Sequence, residues 1–162
     1  MSYGDGVSDQ PRWLNDAERH TWLELVRVMT RLPAALDAQL RRDSKLTQYE
    51  YIVMGVLAEQ PDRRLGMKAL AAVTNGSMSR LSHVVKRLEA AGCLKRETDP
   101  CDGRLTRAAL TGKGLRTVTA AAPGHVRAVR EHVFDGLTDN EVTQLGHLLG
   151  RIAQGCTFDA DA

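Results

Sequence analysis

Apolar positions recur every three or four residues through most of this chain, the period of helices that bury one stripe and wet the other. After a polar start, Asn15 or Asp16 is placed to cap a helix whose apolar side carries Trp22, Leu25, Val26, Met29, Leu32 and Leu36. Pro33 falls inside that pattern. It lacks a backbone donor and crowds the preceding turn, so a bend or a break is expected there. Thr47-Gln48-Tyr49-Glu50 has the residues of a capping box and opens a second helix through Tyr51, Met54, Val56 and Leu57, which Gln60-Pro61 ends.

From Leu65 the elements shorten. Met67 to Thr74 reads as a brief helix with Leu70 and Val73 inward, and Asn75-Gly76 is a turn that tolerates positive φ. Ser77 then caps a further helix that ends at Gly92. Leu81, Val84, Val85, Leu88 and Ala91 fall on one side of it, while Ser79, Arg80, His83, Lys86 and Arg87 fall on the other. Two short helices joined by a tight glycine-containing turn, the second with a basic outer stripe, describe a helix-turn-helix.

Beyond Gly92 the period falls toward two. Leu94 to Thr98 and Leu105 to Leu110 are strand candidates, and the Asp99-Pro100-Cys101-Asp102-Gly103-Arg104 segment between them is hairpin material. A long helical stretch then runs from Thr111-Gly112-Lys113-Gly114 past Pro123 to about Phe134. The last helix starts at a second capping box, Thr138-Asp139-Asn140-Glu141, and its inward stripe is Val142, Leu145, Leu149 and Ile152.

Composition narrows the reading. With 162 residues, 43% hydrophobic and only 4% aromatic, the chain has room for one domain whose core is aliphatic. The net charge of +2 hides an asymmetry: Arg63 to Lys113 holds 11 Lys/Arg against 4 Asp/Glu, and the remainder of the chain is net acidic. A basic middle between acidic flanks points to a polyanionic partner. No apolar run approaches the roughly 18 residues of a membrane span, and no basic-then-apolar leader opens the chain, so no membrane partner and a cytoplasmic location are expected. The three cysteines lie in no zinc or disulfide spacing, and neither a nucleophile elbow, a His-Glu-x-x-His pair nor a Walker loop occurs. An enzyme is not expected, nor is a cofactor or a catalytic or metal site.

The basic helix supplies the chemistry that duplex DNA requires. Arg80 and Arg87 can bond bidentately to guanine or to a phosphate, and Ser77, Ser79 and Ser82 are short donors for phosphate oxygens. A solvated helix face is the alternative for the stripe alone. Arg104, at the tip of a narrow ribbon, has the shape and charge to enter a minor groove, with Asp102 placed to orient it through a fork-shaped salt bridge. The outer helices carry apolar stripes with few aromatic anchors, and a second copy of the chain would cover them.

The run Leu70-Ala71, Ser77-Met78-Ser79-Arg80-Leu81 and Val85-x-Arg87-Leu88-Glu89-x-x-Gly92, followed by Asp102-Gly103-Arg104 and Leu110-Thr111-x-x-Gly114, resembles the MarR family of bacterial winged helix-turn-helix regulators. The resemblance implies a mainly α fold with a small β-ribbon: a winged helix-turn-helix with N- and C-terminal dimerisation helices. It divides the chain into a tail (1–12), an N-terminal dimerisation region (13–45), a DNA-binding lobe (46–113), C-terminal dimerisation helices (114–155) and a second tail (156–162). It further implies a homodimer, a repressor gripping a pseudopalindromic duplex. Ser77, Ser79, Arg80, His83, Lys86 and Arg87 would lie in or beside the major groove, and Asp102 and Arg104 would form the wing pair. Many relatives carry a second Arg or Lys where this chain has Gly103, which implies a weaker phosphate grip.

Members of that family often sense small phenolic or other aromatic ligands in a crevice between the dimer helices and the DNA-binding lobe. Trp13, His20, Trp22, Tyr49 and Tyr51 are the candidate lining, with a place in the core as their alternative. Cys101 is the candidate for redox sensing, whereas Cys93 and Cys156 read as packed apolar residues. His125, His132 and His147 lack the short spacing of a zinc site. Nonspecific DNA binding, a helical protein-interaction module and a cysteine redox regulator are the competing functions.

Overall fold

The structure, a computed structural model, describes residues 11–100 and 102–156. The polar start, the last residues of the C-terminal tail and Cys101 lie outside the described residues. The chain divides into two compact units, Met1–Leu32 and Pro33–Ala162. Helix α1, Asp16–Ser44, is capped by Asn15: its Oδ1 accepts from the Glu18 amide at 2.9 Å, and Glu18 Oε2 accepts from the Asn15 amide at 2.8 Å. Of the bend or break expected at Pro33, the break does not occur: the helix runs through it. Only one ladder donor is lost there, and the hydrogen bonds of the turns on either side carry the helix across.

Helix α2, Gln48–Glu59, begins at the expected capping box of Thr47 and Glu50. Strand β1, Arg64–Gly66, is too short to leave a periodic signature and exists because β3 holds it, with Arg64 opposite Ala109 and Gly66 opposite Arg107. Helix α3, Met67–Val73, and helix α4, Met78–Ala90, flank the turn through Asn75 and Gly76. Strands β2, Leu94–Thr98, and β3, Thr106–Leu110, pair antiparallel with Leu94 opposite Leu110 and Thr98 opposite Thr106, giving the sheet order β1-β3-β2. Helix α5, Gly112–Val129, continues into a π-helical turn, Arg130–Phe134, and helix α6, Asp139–Gly155, follows the second capping box.

The core lies in the second unit. Leu40, Val53, Met54, Leu57, Leu70, Leu81 and Val85 are fully enclosed in a cluster that includes Ala108 of β3 and Val118 of α5. Tyr49 is the one aromatic buried there. Three inward assignments are corrected. Val73 is exposed because Thr74 takes the inner place one residue later, where its Oγ1 donates to Leu70 O at 2.7 Å. Ala91 is exposed where α4 gives way to the turn at Gly92, whose φ is +70°. Helix α6 buries none of its residues. Among the described residues its stripe is only partly covered: Val142 and Leu145 are half-buried, and Leu149 and Ile152 stay about half exposed. Among the described residues, no helix is long and apolar enough to cross a membrane.

Candidate nucleic-acid interface

Helix α4 presents its polar face as the spacing predicts. Ser77 caps it, its Oγ accepting from the Arg80 amide at 3.2 Å, and Leu81, Val85 and Leu88 anchor the opposite side in the core. Ser77, Ser79, Arg80, His83, Lys86 and Arg87 are all exposed on the outer side. Positive φ in the turn before it falls on Asn75 (+47°), not on the glycine. Gly76 is required for a different reason: a Cβ there would sit 1.9 Å from the Tyr49 hydroxyl oxygen.

Two of the arginines are held by residues of α2. The Arg80 guanidinium carbon lies 4.1 Å from the centre of the Tyr49 ring, a cation–π contact. The Tyr49 hydroxyl is in turn bonded to Thr74 Oγ1 at 3.0 Å. Arg87 Nε donates to Glu50 Oε1, while Glu50 Oε2 accepts from the Thr47 amide at 2.8 Å and the Thr47 hydroxyl at 3.0 Å. The Glu50 side chain is only 4% exposed, against 60% for Arg87. Burial alone would raise the Glu50 carboxyl, but the bonds from Arg87 and Thr47 more than offset it and hold the group below the ordinary 4.5.

The ribbon between β2 and β3 is fixed at both ends. Asp99 N donates to Leu105 O at 2.9 Å, and Arg107 bridges Asp99 and Asp62 at 3.6 and 3.5 Å. Asp102 orients Arg104, though not by the expected fork: its Oδ1 accepts from the Arg104 backbone amide at 2.9 Å, a local turn that leaves the Arg104 side chain exposed. The ribbon is also tied to α4. Arg96 donates from Nη2 to Ser82 O at 3.1 Å and from its amide to Glu89 Oε1 at 2.9 Å. Lys68, Met78, Ser82, Arg96 and Arg104 line one cleft of about 580 Å³ between α3, α4 and the ribbon. The cleft thus sets Met78 and Ser82 of α4 beside Arg104 of the ribbon, while Arg80, His83 and Arg87 line a separate cavity.

The MarR family model matches residues 44–105, the stretch from the end of α1 to the ribbon. The solved structure of Sco3205 from Streptomyces coelicolor, a MarR family transcriptional regulator in complex with DNA, is 41% identical. It covers 94% of this chain and 95% of its own, with a TM-score of 0.88. The chain belongs to the MarR family. It is a DNA-binding transcriptional regulator with a winged helix-turn-helix fold, not an enzyme. AbsC of Streptomyces coelicolor, also a MarR regulator, is 36% identical over 90% of this chain and 97% of its own, with a TM-score of 0.83. CouR of Rhodococcus jostii RHA1, solved bound to p-coumaroyl-CoA, is 28% identical over 85% of this chain and 94% of its own, with a TM-score of 0.72.

The candidate ligand-lining residues of this MarR protein are divided between the two units. Tyr49 lines a cavity of about 990 Å³ with Asp37, Arg41, Ile52, His83 and Arg87. Tyr51 packs against His125 instead, ring centres 4.5 Å apart. Trp13, His20 and Trp22 belong to the first unit and are exposed. Cys93 is buried as expected, whereas Cys156, just past α6, is exposed. Cys101, the redox candidate, is among the residues not described. No three His, Cys, Asp or Glu side chains group as a metal site among the described residues. Sequence reading missed Glu50 and Tyr49 as partners of the α4 arginines. Glu50 was legible only as a capping residue, and its second bond reaches across 37 positions to Arg87.

Proposed function

We propose that this MarR protein is a homodimeric repressor of a pseudopalindromic duplex site, with α4 in the major groove and Arg104 of the wing in the minor groove. The observation that carries this reading is the exposed basic face of α4, to which the ribbon bearing the exposed Arg104 is tied through Arg96. A helix of that width fits a major groove, and a guanidinium on a narrow ribbon suits the potential of a narrow minor groove. The uncovered apolar stripes of α6 and of the N-terminal half of α1 support a second copy as partner.

A small aromatic or phenolic ligand is proposed to release the DNA. The cavity beside Tyr49 supports this, because Arg80 and Arg87 line it as well as the groove-facing side of α4. A ligand there would compete with DNA for the same guanidinium groups, and it acts only if it binds the DNA-incompetent arrangement more tightly.

Arg104→Ala tests the wing assignment. Affinity for the duplex upstream of the protein's own gene, measured by fluorescence anisotropy, should fall roughly tenfold to a hundredfold, the worth of one charge-assisted hydrogen bond. The melting temperature should stay unchanged, since the Arg104 side chain is exposed. Unchanged affinity overturns the wing's role.

A further inference from the structure

A carboxylate buried behind a DNA-facing arginine works against phosphate binding. Glu50 cancels charge that would otherwise attract the duplex, so general affinity does not account for it. Its geometry does. Of the five N–H donors of Arg87, the one on Nε is given to Glu50, and the four on Nη1 and Nη2 remain. Those four form the end-on fork that meets the two acceptors of a guanine edge. Glu50 is itself held: its other oxygen accepts from the Thr47 amide and hydroxyl, and its side chain is enclosed. Arg80 is restrained in parallel over the Tyr49 ring, which Thr74 and the close approach of Gly76 keep in place.

We infer that Glu50 is a specificity-determining residue, one that never reaches the duplex but fixes the orientation in which Arg87 reads a base. The inference rests on the proposed placement of α4 in the major groove. A long, flexible arginine ordered before binding loses less freedom on contact with the right base. The same restraint keeps it from following the phosphates of a wrong sequence.

The experiment uses the full-length protein, a cognate duplex found by footprinting and a random duplex of equal length, at one salt concentration. Glu50→Gln retains a residue that closes a capping box but loses the negative charge, and its single acceptor oxygen cannot serve both Thr47 and Arg87. The expected result is tighter binding to random DNA and a cognate-to-random ratio about tenfold lower, the scale of one bidentate base contact. Arg87→Ala should lower the ratio similarly, and Glu50→Gln added to it should lower it no further. If Arg87→Ala leaves the ratio unchanged, Arg87 reads no base and the groove placement of this residue falls with the inference. If Arg87→Ala lowers the ratio and Glu50→Gln does not, the groove placement stands and the positioning role is overturned, whatever the variant does to the melting temperature. Should Glu50→Gln fail to fold, the Arg87 Nε–H resonance of the unmodified protein decides. A resolved, slowly exchanging signal in the absence of DNA is expected, and one averaged with the freely solvated arginines overturns the inference.

Discussion

At the residue scale, the interface is built from side chains already committed to bonds within the protein. Ser77 spends its oxygen on the helix cap, Arg80 rests on Tyr49, Arg87 is tied to Glu50 and Asp102 shapes the Arg104 turn. Local sequence made the caps and the polar stripe of α4 legible, because those depend on neighbours three or four positions away. The Glu50 to Arg87 pair depends on how α2 packs beside α4, which no local pattern encodes. His125 illustrates the same limit: its Nδ1 is buried without a partner, and desolvation holds the imidazole below the ordinary 6.5. The unfolded chain then binds more protons than the folded one just below that value, so stability should fall as pH drops through 6.5 toward the folded value. His125→Phe should keep the ring contact with Tyr51 and remove this dependence. The check is the difference in melting temperature between pH 7.5 and 5.5, relative to the unmodified protein.

At the element scale, helix starts and the β2–β3 ribbon were the most legible features, and the exceptions have simple causes. Strand β1 spans three residues and is defined by its partner β3 rather than by its own pattern. Helix α1 runs through Pro33, where the local rule predicts a bend or a break. A proline inside a helix costs about 3 kcal/mol relative to alanine. Pro33→Ala should therefore raise stability by roughly 1–3 kcal/mol, read from the midpoint of urea unfolding. A loss of stability instead would mean that the proline ring makes packing contacts worth more than the missing hydrogen bond. The stripe of α6 is legible as apolar from its spacing, but spacing says nothing of what covers it, and none of its residues is buried.

At the scale of the whole molecule, the charge asymmetry of the sequence acquires a location. The basic segment from Arg63 to Lys113 spans β1, the helix-turn-helix, the ribbon and the start of α5, while the acidic excess lies in the rest of the chain. Acidic flanks would repel the duplex and leave the basic lobe to face it. The apolar faces of α6 and α1 give the second organising feature. Leu149→Asp with Ile152→Asp should convert a dimer into monomers in light scattering, without loss of the helical signal by circular dichroism. A dimer that persists places the interface elsewhere. Two lobes joined in this way would address half-sites about one helical turn apart.

Sequence-specific recognition by this protein is tested by a binding titration over a range of salt concentrations, with the duplex upstream of the protein's own gene set against a random duplex of equal length. Binding should be tighter to the upstream duplex, with log affinity falling linearly in log salt by about 0.9 per phosphate contacted. Equal affinity for the two duplexes at every salt concentration would contradict sequence-specific recognition through α4 and the wing.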